Sequence, residues 1–200
     1  TTSDCLLQIQ NTDFQQAAIL IKGARLFGFE RIAARLSAKT HKTVLEVNLD
    51  AIAHNLSVFR NLLRGVNSVK PAKLMAMVKA SAYGSGSDEV AHLLEQRGMD
   101  YLTVAYADEG VSLRKAGIKL PIMVMNPEEA SFDTMQRFAL EPEIYSLSLL
   151  NEFVQFLKNT EGWTFSKIHL KLDTGMHRLG FESADIQEVI TVLKQNSHIE

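Results

Sequence analysis

From Leu74 onward, short apolar runs alternate with segments whose apolar residues recur every three or four positions. The short runs predict strands, and the period of about 3.6 residues predicts helices. Five strand–helix pairs follow: Leu74–Lys79 with Ser87–Arg97, Tyr101–Val104 with Asp108–Ala116, Ile122–Met125 with Glu128–Phe138, Glu141–Tyr145 with Leu147–Leu157, and Lys167–Leu172 with Ala184–Lys194. Strands that alternate with helices in this way predict an α/β fold with a parallel sheet.

The short and fairly uniform length of these units favours a (β/α)8 TIM-type barrel over a doubly wound sheet. Such a barrel needs eight strands and usually about 250 residues. The 200-residue chain offers about five units and ends in a helical pattern. We therefore expect an incomplete barrel, and Thr1 in place of an initiator Met suggests a piece of a longer protein.

The residues before the repeats have a different organisation. A buried strand is predicted over Ala17–Ile21 and a helix over Phe29–Leu36, followed by the polar segment Lys39–Lys42. An alternating strand is predicted over Thr43–Leu49, and a helix from the N-cap Asp50 to Arg64. These patterns predict a domain boundary near residue 40.

Composition excludes several classes of protein. The chain is 46% hydrophobic and 22% charged, with a net charge of −2, so no bulk field attracts nucleic acid or an anionic membrane. No apolar run approaches the length of about 20 residues that a membrane span needs. The single cysteine, Cys5, cannot form an internal disulfide, which suits a reducing cytoplasm. No cluster of cysteine and histidine has the spacing of zinc ligands, so we expect no metal site.

Lys79 is the first candidate for chemistry. It follows an apolar strand at its carboxyl end, where barrel enzymes build their active sites. A poorly hydrated lysine there can be a neutral amine that condenses with an aldehyde, although a lysine that extends past the strand into water fits the position too. The turn Gly84-Ser85-Gly86 could bind a phosphate through its N–H groups, or could be a plain tight turn.

Lys171 is the second candidate. In its predicted strand the apolar residues Ile168, Leu170 and Leu172 share one face, while Lys167, His169, Lys171 and Asp173 share the other. Because helices pack outside a barrel, the polar face should point inward and bring Lys171 beside a site at Lys79, with Arg178 in the following loop. A polar face on a solvent-exposed edge strand is the alternative.

At these two motifs the chain resembles the alanine racemase family of pyridoxal-phosphate barrel enzymes, from about Thr43 to Glu200. The resemblance implies that Lys79 holds pyridoxal 5'-phosphate covalently and acts as one of two racemising bases. It implies that Tyr83 contacts the cofactor phosphate and that Arg178 bonds the phenolic oxygen. Lys171 matches a lysine that is carbamylated in many members, and carbamylation or another neutralisation would relieve repulsion among these cations.

Two features depart from the family pattern. Ser81 and Ser85 stand where the family usually has Asn and His, which affects the phosphate end more than the amine chemistry. The family's later elements, including its C-terminal β domain, lie beyond these residues. In the family, that domain carries a tyrosine base presented by a partner subunit, so the resemblance implies a homodimer, and we expect this piece alone to be inactive.

The first 40 residues resemble the C-terminal tail of a cell-wall ligase, the UDP-N-acetylmuramoyl-tripeptide:D-alanyl-D-alanine ligase. The basis is Ile19-Leu20-Ile21-Lys22-Gly23-Ala24-Arg25 followed by Glu30. We therefore expect residues 1–40 to be a ligase tail with a linker and 41–200 the first part of a racemase barrel. The implied activity is interconversion of L- and D-alanine for peptidoglycan. A racemase or decarboxylase of a larger amino acid, and a non-catalytic cofactor-binding barrel, remain alternatives.

Overall fold

The computed structural model describes residues 1–9, 19–36, 45–64, 72–160 and 167–199. The chain divides into two compact units, Thr1–Glu46 and Val47–Glu200. The predicted boundary near residue 40 and the polar segment Lys39–Lys42 lie outside the described residues, so both stay predictions. Among the described residues, no helix combines the length and the apolarity needed to cross a membrane.

The first unit contains two short helices and one 3-10 helix in its described part. Helix α1 (Thr2–Gln8) contacts α2 (Glu30–Leu36), and a 3-10 helix (Arg25–Phe27) precedes α2. The side chain of Ile32 in α2 is buried. The helix predicted over Phe29–Leu36 is therefore confirmed.

The strand predicted over Ala17–Ile21 is wrong where the structure describes it. Residues 19–21 form no strand, and Leu20 is 89% exposed. A strand needs a neighbour that satisfies its N–H and C=O groups, and the described residues of this unit provide none.

The second unit is built on a sheet of five parallel strands. They are β1 (Met75–Met77), β2 (Tyr101–Val104), β3 (Ile122–Val124), β4 (Leu140–Ile144) and β5 (His169–Leu170). They pair in the order β1-β2-β3-β4-β5, so neighbours in the sheet are consecutive in the chain. A doubly wound sheet reverses its strand order, whereas a (β/α) barrel does not. The predicted incomplete barrel is thus confirmed.

Helices connect and cover these strands. They are α3 (Leu49–Arg64), the one-turn segment α4 (Lys79–Tyr83), α5 (Ser87–Gln96), α6 (Ala107–Lys115), α7 (Phe132–Arg137) with a preceding 3-10 helix (Glu129–Ser131), α8 (Leu147–Asn159) and α9 (Ile186–Gln195). Every helix predicted after residue 86 is confirmed, with its ends shifted by a few residues at most.

The segment before α3 differs from its prediction. Residues 43 and 44 of the predicted strand lie outside the described residues, 45–48 pair with no strand, and Leu49 already belongs to α3. Asn48 rather than Asp50 caps this helix, because its Oδ1 accepts a hydrogen bond from the Ala51 amide at 2.9 Å.

The two faces of the sheet have different chemistry. Helix α6 contacts β2 and β3, and α7 contacts β4. The strand residues on the helix-covered side are apolar and fully buried: Leu102, Val104, Ile122, Val124 and Ile144. Alternation and the strand registers place the others on the opposite side, which we call the inner face: Met75, Met77, Tyr101, Thr103, Met123, Glu141, Glu143, His169 and, continuing β5, Lys171.

Arg114 fixes the loops that enter β3 and β4. Its Nη1 donates to the carbonyls of Ile118 at 2.9 Å and Leu120 at 2.7 Å. Its Nε and Nη2 donate to the carbonyls of Phe138 at 2.9 Å and Ala139 at 3.0 Å. One side chain thus satisfies four carbonyl groups that precede two neighbouring strands.

Arg114→Ala should lower the free energy of unfolding by about 2–3 kcal/mol, because these carbonyls lose a charged donor. Arg137→Ala is the matched control. Arg137 forms an ion pair with Asp133 at 2.7 Å, and both side chains are more than 60% exposed, so we expect a cost below about 0.5 kcal/mol. Equal losses in urea titrations of the two variants would contradict this account.

Candidate active site

Lys79 lies at the carboxyl edge of the sheet, but not in the strand. The strand predicted over Leu74–Lys79 ends at Met77, and Lys79 is the first residue of α4. The side chain of Lys79 is half-buried, and it forms no hydrogen bond or ion pair with the residues that the structure describes.

The four residues after Lys79 have an unusual backbone. Ala80, Ser81, Ala82 and Tyr83 have φ angles of 51°, 55°, 51° and 58°, so α4 is a left-handed turn. This conformation costs roughly 1–2 kcal/mol per non-glycine residue, because Cβ crowds the following carbonyl. It cannot continue the pleat of β1, which explains why the strand ends early.

Glu109 holds this left-handed turn in place. Its Oε1 accepts a hydrogen bond from the Ala80 amide at 2.7 Å. Its Oε2 accepts from the amides of Ala105 at 2.7 Å and Tyr106 at 3.2 Å. One carboxylate in the first turn of α6 therefore joins the segment that follows β1 to the segment that follows β2. Sequence reasoning assigned Glu109 no role in the site, because its partners Ala80 and Ala105 lie in other segments of the chain.

The glycine turn after Tyr83 satisfies its own amides. Gly84 N–H donates to the Ala80 carbonyl at 3.0 Å, Ser85 N–H to that of Ala82 at 3.2 Å, and Gly86 N–H to that of Ser81 at 3.0 Å. These donors are therefore engaged within the turn, as expected for a tight turn. The Tyr83 side chain is 65% exposed, and its hydroxyl donates to Met77 Sδ at 2.9 Å.

The loop after β5 is organised by Asp173. Its Oδ1 accepts hydrogen bonds from the amides of Gly175 at 2.9 Å and His177 at 3.0 Å, and its Oδ2 lies 3.1 Å from His177 Nδ1. The Gly175 amide, followed by the His177 amide, holds the pKa of Asp173 below its ordinary value. The loop returns beside its own start, because the Phe181 amide donates to the Lys171 carbonyl at 2.8 Å.

Gly180 allows this close return. Its φ is +132°, and a Cβ there would lie 2.5 Å from the Asp173 nitrogen and 2.8 Å from the Leu172 carbonyl carbon. Any side chain would therefore separate the two ends of the loop. Arg178, between Asp173 and Gly180, is exposed and has no ion-pair partner within the described ranges.

Two charged networks cross the inner face between β4 and β5. Glu141 Oε2 lies 2.8 Å from His169 Nε2 and accepts from the Tyr101 hydroxyl at 3.0 Å. Burial alone would raise the pKa of Glu141, but these hydrogen bonds outweigh it and hold that pKa below its ordinary value. One step further along the strands, Lys171 Nζ lies 3.4 Å from Glu143 Oε2.

The structure thus groups the predicted residues in two pairs. Lys79 and Tyr83 begin and end one turn, while Lys171 and Arg178 lie at the start of the Asp173 loop and within it. No hydrogen bond or ion pair joins the two pairs in the described part of the chain. Both follow the carboxyl ends of parallel strands, where a barrel places its active site. Sequence reasoning missed Glu143, although its alternation with Pro142 and Ile144 puts it on the same face as Lys171.

Within the described ranges, no group of three or more His, Cys, Asp or Glu side chains could hold a metal ion. The predicted site residues at the carboxyl edge of the sheet present an amine (Lys79), a phenol (Tyr83) and a guanidinium (Arg178).

Comparison with known proteins decides the family. The family described as "Alanine racemase, N-terminal domain" matches residues 47–200. This chain belongs to the alanine racemase family. An alanine racemase from Sorangium cellulosum is 35% identical over 161 residues, which cover 78% of this chain and 41% of that protein. An amino-acid racemase from Enterococcus faecalis is 38% identical over 160 residues, covering 78% of this chain and 21% of that protein.

Solved structures of the alanine racemase family support the same fold. An alanine racemase from Clostridium difficile 630 superposes with a TM-score of 0.68 at 32% identity, over 80% of this chain and 42% of that chain. An alanine racemase from Corynebacterium glutamicum gives a TM-score of 0.65 at 30% identity, over 76% of this chain and 42% of that chain. The chain therefore spans less than half the length of these relatives.

Gly180→Ala should destabilise the protein more than Gly175→Ala. The two glycines have nearly equal φ angles, +132° and +130°, but nothing lies within 4 Å of a Cβ at Gly175. The backbone strain of about 1–3 kcal/mol is thus common to both variants. The clash should add about 1–3 kcal/mol for Gly180→Ala alone. Equal free energies of unfolding would show that the loop closure does not need a glycine.

Asp173→Asn should make the free energy of unfolding less dependent on pH in acid. A carboxyl whose pKa is lowered by folding adds stability above its unfolded value, near 3.8, and loses it as the pH falls toward the folded value. The free energy of unfolding of the parent protein should therefore fall faster below about pH 4 than that of the variant. Asp133→Asn, at an exposed carboxyl, is the control, and an identical acid slope in all three proteins would contradict the role of Asp173.

Proposed function

We propose that this chain is the first part of the barrel of a pyridoxal-phosphate-dependent racemase that interconverts L- and D-alanine. The observation that supports this most is the placement of Lys79. It is an unpaired, half-buried amine within the described residues, at the carboxyl edge of β1, in a turn fixed by Glu109. Family membership supplies the reaction class.

The residues present fit the cofactor. An aldehyde needs an amine free of ion pairs, and Lys79 provides one. A phosphate and a phenolic oxygen need exposed donors, and Tyr83 and Arg178 carry such donors. By resemblance, Lys79 would hold pyridoxal phosphate covalently, Tyr83 would contact its phosphate and Arg178 its phenolic oxygen. When bound, this cofactor acts as an electron sink for the electrons that remain on Cα after proton loss.

Lys79 would also move a proton on one face of the substrate. Racemisation needs a proton removed from one face and returned to the other, so a second base must lie across the substrate. By resemblance that base is a tyrosine of a C-terminal β domain in a partner subunit, and the active protein is a homodimer. Glu109 would keep Lys79 in position for this step by fixing the turn that it opens.

A second substrate class has specific support. The relative from Enterococcus faecalis is named an amino-acid racemase rather than an alanine racemase. The same edge of the sheet could therefore serve a larger amino acid. Side chains that line the rest of the pocket would decide between the two.

The biological setting that we propose is peptidoglycan synthesis in the cytoplasm. D-Alanine is a cell-wall building block, and the segment Lys22-Gly23-Ala24-Arg25 before α2 resembles a cell-wall ligase tail. The separate compact unit Thr1–Glu46, which precedes the racemase match at residue 47, is what a fused ligase and racemase would show. An assay for ATP-dependent joining of D-alanyl-D-alanine by the natural protein tests the fusion.

Lys79→Ala should lower kcat for alanine racemisation by at least about a thousandfold, because the variant lacks both the anchoring amine and one base. Lys73→Ala is the matched control, since Lys73 is an exposed lysine just before β1, and it should keep full activity. Chiral chromatography of alanine measures both.

Borohydride reduction of the cofactor-loaded protein should fix the pyridoxyl group on Lys79, because reduction makes the link between amine and cofactor permanent. Peptide mapping should then find the added mass in the peptide that contains Lys79. Label on any other lysine would contradict the assignment, whatever the activity of the variants.

A further inference from the structure

A cavity lined by arginine side chains, which we call the arginine cavity, opens between the carboxyl ends of α3 and α5. Its volume is about 250 Å³. Helix α3 leads toward β1 and helix α5 leads toward β2, so both helix ends lie at the amino edge of the sheet. The candidate active site lies at the opposite edge. The residues that line the arginine cavity include Leu56, Ser57, Arg60, Asn61, Arg64 and Arg97.

Arg60 is half-buried, and the backbone fixes its guanidinium group. Its Nη1 donates to the carbonyl of Arg97, and its Nη2 donates to that of Gly98. These carbonyls belong to the carboxyl end of α5, where a helix leaves its last C=O groups without partners in the helix. Carbonyl acceptors do not neutralise a cation, so Arg60 keeps its positive charge at the cavity wall.

Arg64 and Arg97 bring two more charges to the same cavity. Their side chains are exposed, and they form no hydrogen bond or ion pair with the residues that the structure describes. No acidic residue is among the described residues that line the cavity. The segment 65–71, which directly follows Arg64 in the sequence, contains no Asp or Glu either.

The carboxylates near Arg97 in the sequence are bonded to other groups. Glu95 Oε1 accepts hydrogen bonds from the amides of Lys119 at 2.7 Å and Leu120 at 3.1 Å. Asp100 Oδ2 accepts from the Leu74 amide at 2.8 Å. The described part of the chain thus gathers three guanidinium groups at one cavity and places no carboxylate among them.

Stabilisation of helix ends does not account for this arrangement. A cation in the last turn of a helix interacts favourably with the helix dipole, and Arg64 and Arg97 both benefit from this effect. The effect acts on each helix separately, so it gives no reason for two helices to bring their cations to one cavity. Like charges at a shared wall repel each other, whereas an anion in the cavity would interact favourably with all three.

The donors favour a phosphate group over a carboxylate. A guanidinium group binds either anion with two parallel hydrogen bonds. A carboxylate has two oxygens in one plane, whereas phosphate oxygens point in several directions and can accept from two helices together. A phosphate monoester carries a charge of about −1.5 to −2 at neutral pH, which matches the two unpaired charges of Arg64 and Arg97.

The size of the arginine cavity also fits such a ligand. A water molecule needs a cavity of only about 10–15 Å³. A cavity of about 250 Å³ therefore has space for a phosphate group and for part of a molecule that carries it.

We propose that the arginine cavity binds a small phosphate-bearing anion at the amino edge of the sheet. Arg60 supplies a fixed positive wall, while Arg64 and Arg97 donate hydrogen bonds to the phosphate oxygens. This site is separate from the cofactor site, so the proposal does not rest on the proposed function.

Isothermal titration calorimetry with inorganic phosphate tests the proposal on the complete protein, saturated with pyridoxal phosphate and kept at constant ionic strength with chloride. Saturation keeps inorganic phosphate out of the cofactor site. Arg64→Gln and Arg97→Gln each remove one charged donor that makes no hydrogen bond within the described residues, so both variants should fold. Each should weaken phosphate binding at least about tenfold, because hydrogen bonds to charged groups are lost.

Two variants control for charge and shape. Arg137→Gln is the matched control, because Arg137 is also an exposed arginine in the last turn of a helix, but it pairs with Asp133 and does not line the cavity. It should leave the phosphate affinity unchanged. Arg97→Lys keeps the charge but loses the planar fork, so its affinity should lie between those of the parent protein and Arg97→Gln.

Two further probes define the ligand. Succinate carries two negative charges on two planar carboxylates, so it should bind more weakly than phosphate. Glycerol 3-phosphate distinguishes the source of the phosphate group. Tighter binding than that of inorganic phosphate indicates a phosphorylated metabolite, and equal or weaker binding indicates free phosphate.

The proposal is overturned if the parent protein does not bind phosphate, or if Arg64→Gln and Arg97→Gln bind it as tightly as the parent. An equal loss of affinity in Arg137→Gln, or equal affinity for succinate, also contradicts it. Lower stability of the two arginine variants with unchanged phosphate affinity would show that these side chains only stabilise helix ends. The titration does not measure racemisation, so an inactive protein with the expected phosphate binding would count against the proposed function alone.

Discussion

In the part of the chain that the structure describes, helices cover one face of the parallel sheet, and this constraint decides where each strand side chain can lie. Apolar side chains such as Leu102 and Ile144 are fully buried against the helices. Alternation therefore leaves the polar side chains of the same strands on the inner face. There they must find partners among themselves, because a buried charge without a partner is costly. The Glu141–His169 and Glu143–Lys171 pairs are the result.

The parallel arrangement also brings distant loops to one edge. The turn after β1 and the loop after β5 lie 90 residues or so apart in the chain, yet both follow carboxyl strand ends. Each adopts a backbone that costs free energy: a left-handed run from Ala80 to Tyr83, and a close return at Gly180. In each, one carboxylate offsets part of the cost by accepting several amide hydrogen bonds, Glu109 in the first and Asp173 in the second. Such strain is typical of sites where geometry matters more than stability.

The sequence predicts most of this fold, because hydrophobic periodicity reports burial directly. The sequence predicts all five strand–helix units. It also predicts that the polar side chains of β5 lie on the inner face. Hydrophobic periodicity does not report a backbone conformation that depends on contacts with residues far away in the chain. Ala80 to Tyr83 contain no glycine, and their left-handed turn depends on Glu109, far along the chain. Glu143 lies between Pro142 and Ile144 in a stretch with the composition of a surface segment, and only the register with His169 places it beside Lys171.

The central claim is that the turn after β1 and the loop after β5 form one binding site at the carboxyl edge. Hydrogen–deuterium exchange of the complete protein, with and without pyridoxal phosphate, tests it directly. Binding should slow exchange in the peptides that cover 79–86 and 171–181. Exchange should not change in 97–100 and 117–121, the loops that enter β2 and β3 at the opposite edge. Protection confined to those opposite loops, or absent from either carboxyl-edge segment, would contradict the account.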